Sequence, residues 1–250
     1  MKLSVIIPVF NEASTIREVL QKVRAVDLEK EIIVVNDGST DETAAVLQLE
    51  KDDPVTLVHN SLINIGKGAG VRIGLEYAKG DIVIVQDADL ELDPNEYPML
   101  LKPILAGKTS VVYGSRFLKG GPHARQRRFN MSYFANWFLT GLTNFLYRAN
   151  LTDMETAYKV IRRDVLDKIK LRSLKFEIEP ELTAKLLRLR YKIMEVPIAY
   201  HPRTTEQGKK IRWVDGILAV YYLLKYRFQK ESLFLKTKPM PEMQPEAKLS

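Results

Sequence analysis

The sequence predicts an α/β domain with a mostly parallel sheet flanked by helices and amphipathic helices toward the C-terminus. Three observations predict it. Short runs rich in Val and Ile alternate with segments whose apolar residues recur at helical spacing. Glycines and carboxylates gather just after those runs, where the carboxyl ends of parallel strands leave room for ligands. The 250 residues, 46% of them hydrophobic, suit one core with an appendage better than two independent domains.

The first strand is Leu3-Ser4-Val5-Ile6-Ile7-Pro8-Val9, followed by Phe10-Asn11-Glu12. Asn11 or Ser14 is placed to cap a helix carrying Ile16, Val19, Leu20, Val23 and Val26 on one face. A second buried strand, Glu31 to Val35, leads into Asn36-Asp37-Gly38-Ser39-Thr40-Asp41. There Gly38 permits a tight turn and leaves the Asp37 carboxylate at the strand's end. After a third strand, Val55 to Val58, Gly66-Lys67-Gly68-Ala69-Gly70 opens a helix. This loop resembles a phosphate cradle but lacks the spacing of either Gly-rich nucleotide fingerprint.

Ile82 to Val85 is a fourth strand, buried on both faces, and it runs into Gln86-Asp87-Ala88-Asp89-Leu90-Glu91. If the chain stays extended, Asp87, Asp89 and Glu91 share a face, and the small Ala88 allows close approach to the backbone. Such hard oxygen ligands suit Mg2+ or Mn2+, which keep positions open for substrate phosphates. The alternative is a solvated acidic loop. Thr109 to Tyr113 is a fifth strand, ending in Gly114-Ser115-Arg116. Asp153 to Tyr158 opens a helical stretch that Thr152 or Asp153 caps. Phe176 to Glu181 opens another, with Pro180 and Glu181 as ordinary start signals, before a strand from Lys192 to Ala199.

A formal net charge of +7 points to anionic partners: nucleic acid, nucleotide phosphates or an acidic membrane surface. An acidic crevice and the lack of a recognised motif argue against nucleic acid. With no cysteine, disulfides and thiolate metal sites are excluded, and the three histidines are too scattered for zinc. The N-terminal residues enter a strand at once, without signal-peptide order, so the expected location is cytoplasmic.

Taken together, Pro8-Val9-Phe10-Asn11-Glu12, Val35-Asn36-Asp37-Gly38-Ser39-Thr40-Asp41, Gly66-Lys67-Gly68 and Asp87-Ala88-Asp89 resemble the successive motifs of family 2 glycosyltransferases of the GT-A (Rossmann-like) fold. The likeness continues through Gly114-Ser115-Arg116, Asp153 to Lys159, Tyr200-His201-Pro202-Arg203 and Gly208 to Ile211, and is strongest to the polyprenyl-phosphate mannosyl- and glycosyltransferases. It covers about Leu3 to Phe228, which implies a catalytic domain over residues 1–228. By this resemblance, Pro8, Phe10, Glu12, Val35 and Asp37 form the base and ribose pocket. Asp87 and Ala88 lie near the nucleoside, and Lys67 near the donor. Asp89, joined by Glu91, holds Mg2+ or Mn2+. Arg116, Arg203 and Lys209 stabilise the departing diphosphate, the last two from a mobile loop.

The implied reaction moves a hexose, with inversion, from GDP-mannose or UDP-glucose to a polyprenyl (dolichyl or undecaprenyl) phosphate. An acceptor phosphate is already anionic and attacks without much help from a base. A hydroxyl acceptor, the alternative within the family, needs one, and Asp153 stands where inverting relatives place that group.

Lys119, Arg125, Arg127 and Arg128 precede an uncharged segment, Phe129 to Tyr147, in which Met131, Phe134, Phe138, Leu142 and Phe145 form one helical stripe. Trp213 to Phe228 is a second apolar helix. Each is expected to lie in a membrane interface, as in a peripheral protein on the cytoplasmic face, or to pack on the sheet or on a membrane-protein partner. Residues 229–250, with Pro239, Pro241 and Pro245, read as a disordered tail.

Overall fold

The structure, a computed structural model, describes residues 1–50, 53–118, 131–202 and 213–236. In chain order the elements are β1 (Leu3–Val9), α1 (Ile16–Ala25), β2 (Lys30–Asp37), α2 (Thr43–Gln48), β3 (Thr56–Ser61), α3 (Lys67–Tyr77) and β4 (Ile82–Val85). Then come α4 (Tyr97–Leu105), β5 (Val111–Ser115), α5 (Met131–Tyr147), β6 (Lys159–Arg162), α6 (Arg163–Leu166), α7 (Ile178–Arg188), β7 (Ile193–Pro197) and α8 (Trp213–Phe228).

The seven strands form one sheet in the order β3-β2-β1-β4-β6-β5-β7. All neighbours run parallel except β6, which is antiparallel to both β4 and β5. Side chains alternate between two apolar layers, as the pleat requires. Val5, Ile7 and Val9 of β1 join Ile32 and Val34 of β2 under α1 and α4. Ile6, Ile33 and Val35 turn the other way, toward α3 and α7.

Strand β6 departs from the expected helix at Asp153 to Tyr158. The carboxylate expected to cap that helix is taken by groups outside it, the Arg116 guanidinium and the Asn136 amide, and Thr156 Oγ1 donates to the Gly114 carbonyl. Residues 153–158 are therefore held as a turn that feeds Lys159 into the sheet.

The segment after α8 also departs from expectation. Phe234 is fully buried, Lys170 N donates to its carbonyl at 2.8 Å, and Lys236 N donates to the Lys168 carbonyl at 2.9 Å. Residues 229–236 thus belong to the folded body, because a large aromatic found a pocket beside Lys185 and Arg188. The remainder of the expected tail lies outside the described residues.

Helix α5 is amphipathic in an inverted sense. Its polar Asn136, Thr140 and Thr143 are buried, whereas Trp137 is 67% exposed and Phe145 81%. The cause is local: Asn144 exchanges two hydrogen bonds with Leu151, each 2.8 Å, and Thr140 Oγ1 accepts from Met154 N at 3.1 Å. The polar face is thereby spent on the 151–155 turn and the aromatic face is left outward. Helix α8 packs against α5 and α7 through Ala219, Leu223 and Tyr226, leaving Ile217, Tyr221 and Phe228 exposed. No helix among the described residues is long and apolar enough to cross a membrane.

Beneath the carboxyl end of β4, the buried Gln86 Oε1 accepts hydrogen bonds from Tyr97 and Tyr158, each 2.7 Å long. This clamp ties β4 to α4 and to the chain entering β6. Gln86→Leu would leave two buried phenols unpaired, and chemical denaturation should show a loss of about 2–4 kcal/mol with the fold retained. A change within 0.5 kcal/mol would mean that the tyrosines find other partners.

Candidate active site

The carboxyl ends of β1, β2 and β4 border a cleft of about 620 Å³. Pro8, Phe10, Glu12, Asp37, Lys67, Asp87, Ala88, Asp89, Glu91 and Arg116 all line it. Ten expected site residues are thus brought together from five separate stretches of chain.

Local geometry places them. Asn11, after β1, adopts a left-handed conformation with φ of 53°. Its N–H reaches Ser39 Oγ at 3.0 Å and its Oδ1 accepts from Thr40 N at 2.8 Å, which laces the β1 loop to the β2 loop. Gly38, at φ of 67°, could not carry a side chain, since a Cβ there would lie 2.4 Å from the Ile63 carbonyl carbon. The Asp37 carboxylate accepts from Ile65 N and Gly66 N, at 3.0 and 2.7 Å, and so fixes the loop that opens α3. The glycine loop serves close packing: a Cβ on Gly68 would lie 2.7 Å from the Ser173 carbonyl oxygen.

Lys67 lies among carboxylates. Its Nζ is 2.7 Å from Asp87 Oδ1 and 3.2 Å from Glu179 Oε1, and Glu179 in turn binds Lys159. Burial alone would lower the Lys67 pKa, but Asp87 and Glu179 hold it above its ordinary value. Burial likewise pushes Glu179 upward, and Lys159 and Lys67 overcome it to keep that carboxyl below its usual range. Lys67 therefore joins two acidic side chains at the cleft wall.

The acidic stretch is not extended past Asp89. Leu90 has φ of 61°, and Glu91 N donates to Asp89 Oδ1 at 3.1 Å, so Glu91 reaches the cleft through a turn and not by strand alternation. Glu91 Oε2 accepts from the Tyr200 hydroxyl at 2.9 Å, and the Glu91 carbonyl accepts from His201 N at the same distance.

Arg116 forms a two-pronged pair with Asp153: Nε to Oδ2 and Nη2 to Oδ1, both 2.7 Å. Its own backbone N–H and the Asn136 amide add two further donors to the same carboxylate, at 3.0 and 3.1 Å. Burial would lower the Arg116 pKa, but Asp153 raises it. The guanidinium carbon also stands 5.2 Å from the Tyr200 ring centre and 5.4 Å from that of Phe117. Arg116 is thus rigidly presented, with its remaining N–H groups available to an anion in the cleft.

Two expected site residues do not line the cleft. Asp153 is fully buried behind Arg116, where its carboxylate grips the guanidinium. Val35 is buried against α3, on the sheet face below the cleft, because strand alternation turns it away. Arg203 and Lys209 lie outside the described residues, as do Lys119, Arg125, Arg127 and Arg128.

Four residues outside the expected site set also line the cleft. Glu179, read as a helix start, faces Lys67 and Lys159 instead of solvent. Tyr200 is set by its bond to Glu91. Leu218 brings α8 to the cleft mouth. Glu155 lines the cleft with a buried Oε1 that has no hydrogen-bond partner; burial, partly offset by Lys159 and reinforced by Glu179, pushes its carboxyl up to about 7.

Asp153→Asn should lower stability by roughly 3 kcal/mol and weaken nucleotide-sugar binding, because it leaves the Arg116 charge without its partner. Thermal melts and calorimetric titration measure both. A variant that keeps its melting temperature and loses only turnover would return Asp153 to the role of base.

The glycosyl transferase family 2 model matches residues 4–170. Among curated proteins, the chain is 29% identical to the dolichol-phosphate mannosyltransferase of Pyrococcus furiosus, covering 84% of this chain but only 59% of that one. It is 31% identical to the polyprenol monophosphomannose synthase of Mycolicibacterium smegmatis, over 80% of this chain and 77% of the relative. The undecaprenyl-phosphate mannosyltransferase of Micrococcus luteus is 29% identical over 86% and 90%. In fold, the chain is similar to glucosyl-3-phosphoglycerate synthase of Mycobacterium tuberculosis, solved with uridine diphosphate, at a TM-score of 0.68, 20% identity and coverage of 90% and 80%. The matched span contains every strand through β6 and all ten cleft residues above, and on it the chain belongs to glycosyl transferase family 2.

Proposed function

We infer that this protein transfers a hexose from a nucleoside diphosphate to a polyprenyl phosphate at the cytoplasmic surface of a membrane, with inversion at the sugar carbon. The observation that carries this reading is the position of the two helices with outward aromatic faces. Helix α8 lines the cleft mouth through Val214 and Leu218, and α5 packs beside it. A lipid acceptor would keep its chain in the interface that these helices face while its phosphate enters the cleft. Three curated relatives named above are described as acting on polyprenyl-type lipids or as polyprenyl-phosphate transferases, which agrees with it.

On this reading the donor's base and ribose lie against Pro8, Phe10, Glu12 and Asp37, where carboxylates accept from amine and hydroxyl groups. The acceptor phosphate oxygen attacks C1 of the hexose as the bond from C1 to the diphosphate breaks. Charge grows on the departing nucleoside diphosphate, and the rigid Arg116 stabilises it. Asp89 and Glu91 offer only oxygen ligands at the cleft wall, a donor set that fits Mg2+ or Mn2+. Such an ion, when bound, supplies further charge stabilisation to the diphosphate. Asp87 stays with Lys67 and keeps the wall charged and fixed.

The test is transfer by purified protein from radiolabelled GDP-mannose or UDP-glucose, with Mg2+ or Mn2+, in the presence and absence of polyprenyl phosphate. Label should enter the lipid phase only with both metal and phosphate lipid, and the productive donor identifies the sugar. Asp89→Ala should reduce turnover by about 100-fold or more without altering the melting temperature. Full activity in excess chelator would remove Asp89 and Glu91 as metal ligands; label in a water-soluble product alone would favour a hydroxyl acceptor.

A further inference from the structure

Five carboxylates around this cleft each have a cation or donor facing them. Asp87 and Glu179 have lysines, Asp153 has Arg116 and Asn136, Glu91 has Tyr200, and Asp37 has two backbone N–H groups. Glu155 is the exception, since its Oε1 is buried without a partner. An uncompensated charge there is costly, so the low-energy form is the neutral acid, which carries one O–H donor.

The groups that face it are Asp153 on its own turn, Tyr113 from β5 and Arg116 just after it, Lys159 from β6 and Glu179 from α7; Asp215 of α8 lines the same cleft. Lys159 is already occupied by Glu179 and by the Thr156 carbonyl. Among the described residues no cation forms an ion pair with Glu155, since Arg116 is engaged by Asp153 and Lys159 by Glu179.

Its position indicates which ligand it meets. Glu155 N donates to Asn136 Oδ1 at 3.3 Å, and Asn136 belongs to α5, whose outer face carries Phe134, Trp137 and Phe138. Glu155 is therefore the cleft carboxyl tied to the helix that faces the acceptor's side, whereas Pro8, Phe10 and Asp37 lie at the far strands.

We propose that Glu155, as a neutral carboxylic acid, donates a hydrogen bond to the acceptor's phosphate, so that acid and phosphate share one proton in the bound complex. This rests on the phosphate-acceptor reading above and deepens it. A carboxylate there would repel the incoming dianion; an acid binds it and sets it against the sugar carbon. No base is required, and the proton stays on Glu155 while the phosphate oxygen attacks. Carboxylic acids held neutral by their surroundings act as donors in this way.

The sign follows from the raised pKa: the acid form predominates below about 7 and is lost above it. With saturating donor and metal, wild-type KM for polyprenyl phosphate in detergent micelles should be lowest near pH 6 and rise up to about tenfold per unit above pH 7. Glu155→Gln supplies a weaker donor that cannot ionise. Its KM should be about threefold above wild type at pH 6, nearly flat with pH, and below wild type at pH 9. Ionisation of the acceptor itself persists in both proteins, so the crossing belongs to Glu155. Glu155→Ala, without a donor, should raise KM about tenfold at pH 6. Since the folded state disfavours the charged form, Glu155→Gln should melt at least as high as wild type at pH 8.

The same KM rise in Glu155→Gln would overturn the proposal, and so would a kcat loss of about 100-fold at every pH, which would mark a base. Wild-type protein that binds the nucleotide sugar but transfers nothing to polyprenyl phosphate would overturn the acceptor reading, and this inference with it.

Discussion

Carboxylates crowd this cleft, and their compensation is the interaction on which the rest of the structure depends. Lys67 stands between Asp87, at the end of β4, and Glu179, at the start of α7, while Lys159 of β6 holds Glu179 from the other side. Removing any one of these charges would strand another out of water, which costs more than the pair contributes when intact. The network therefore fixes relative positions more than it adds stability. It joins the half of the sheet that carries the β1 and β2 loops to the half that carries Arg116.

The second half is organised by the same rule. Asp153 has four donors and no exposure, and its bidentate grip leaves Arg116 one orientation. Glu195 of β7 supports it by accepting from Thr152 N and Asp153 N. A preorganised cation costs no reorientation when charge develops on a leaving group, so the burial of Asp153 serves Arg116.

The central sheet was legible because its strands are continuous Val and Ile runs and its loops carry residues with few other uses. Asn11, Gly38 and Gly66 occupy backbone conformations that their types tolerate, and Asp37, Asp87 and Asp89 follow strands directly. What could not be read depends on partners distant in sequence. Strand β6 is four residues long, and whether Asp153 caps a helix or grips an arginine is decided 37 positions away. Glu179 looks like a helix start until Lys67 arrives from α3. The stripe on α5 was legible, but its direction was not, since only the 151–155 turn shows that the polar side is the inner one.

Asp153 and Glu155 show how far environment outweighs residue type. They are two positions apart on one turn and carry the same functional group. One meets a guanidinium, an amide and a backbone N–H; the other meets a lysine already committed elsewhere and a second carboxylate. Those neighbours alone account for the raised pKa of Glu155. On the proposed function the cleft holds two anions, the donor's diphosphate and the acceptor, and both environments have a use. On the proposed reading, Asp153 aims a cation at the diphosphate, and a neutral Glu155 leaves room for an incoming phosphate that a further negative charge would turn away.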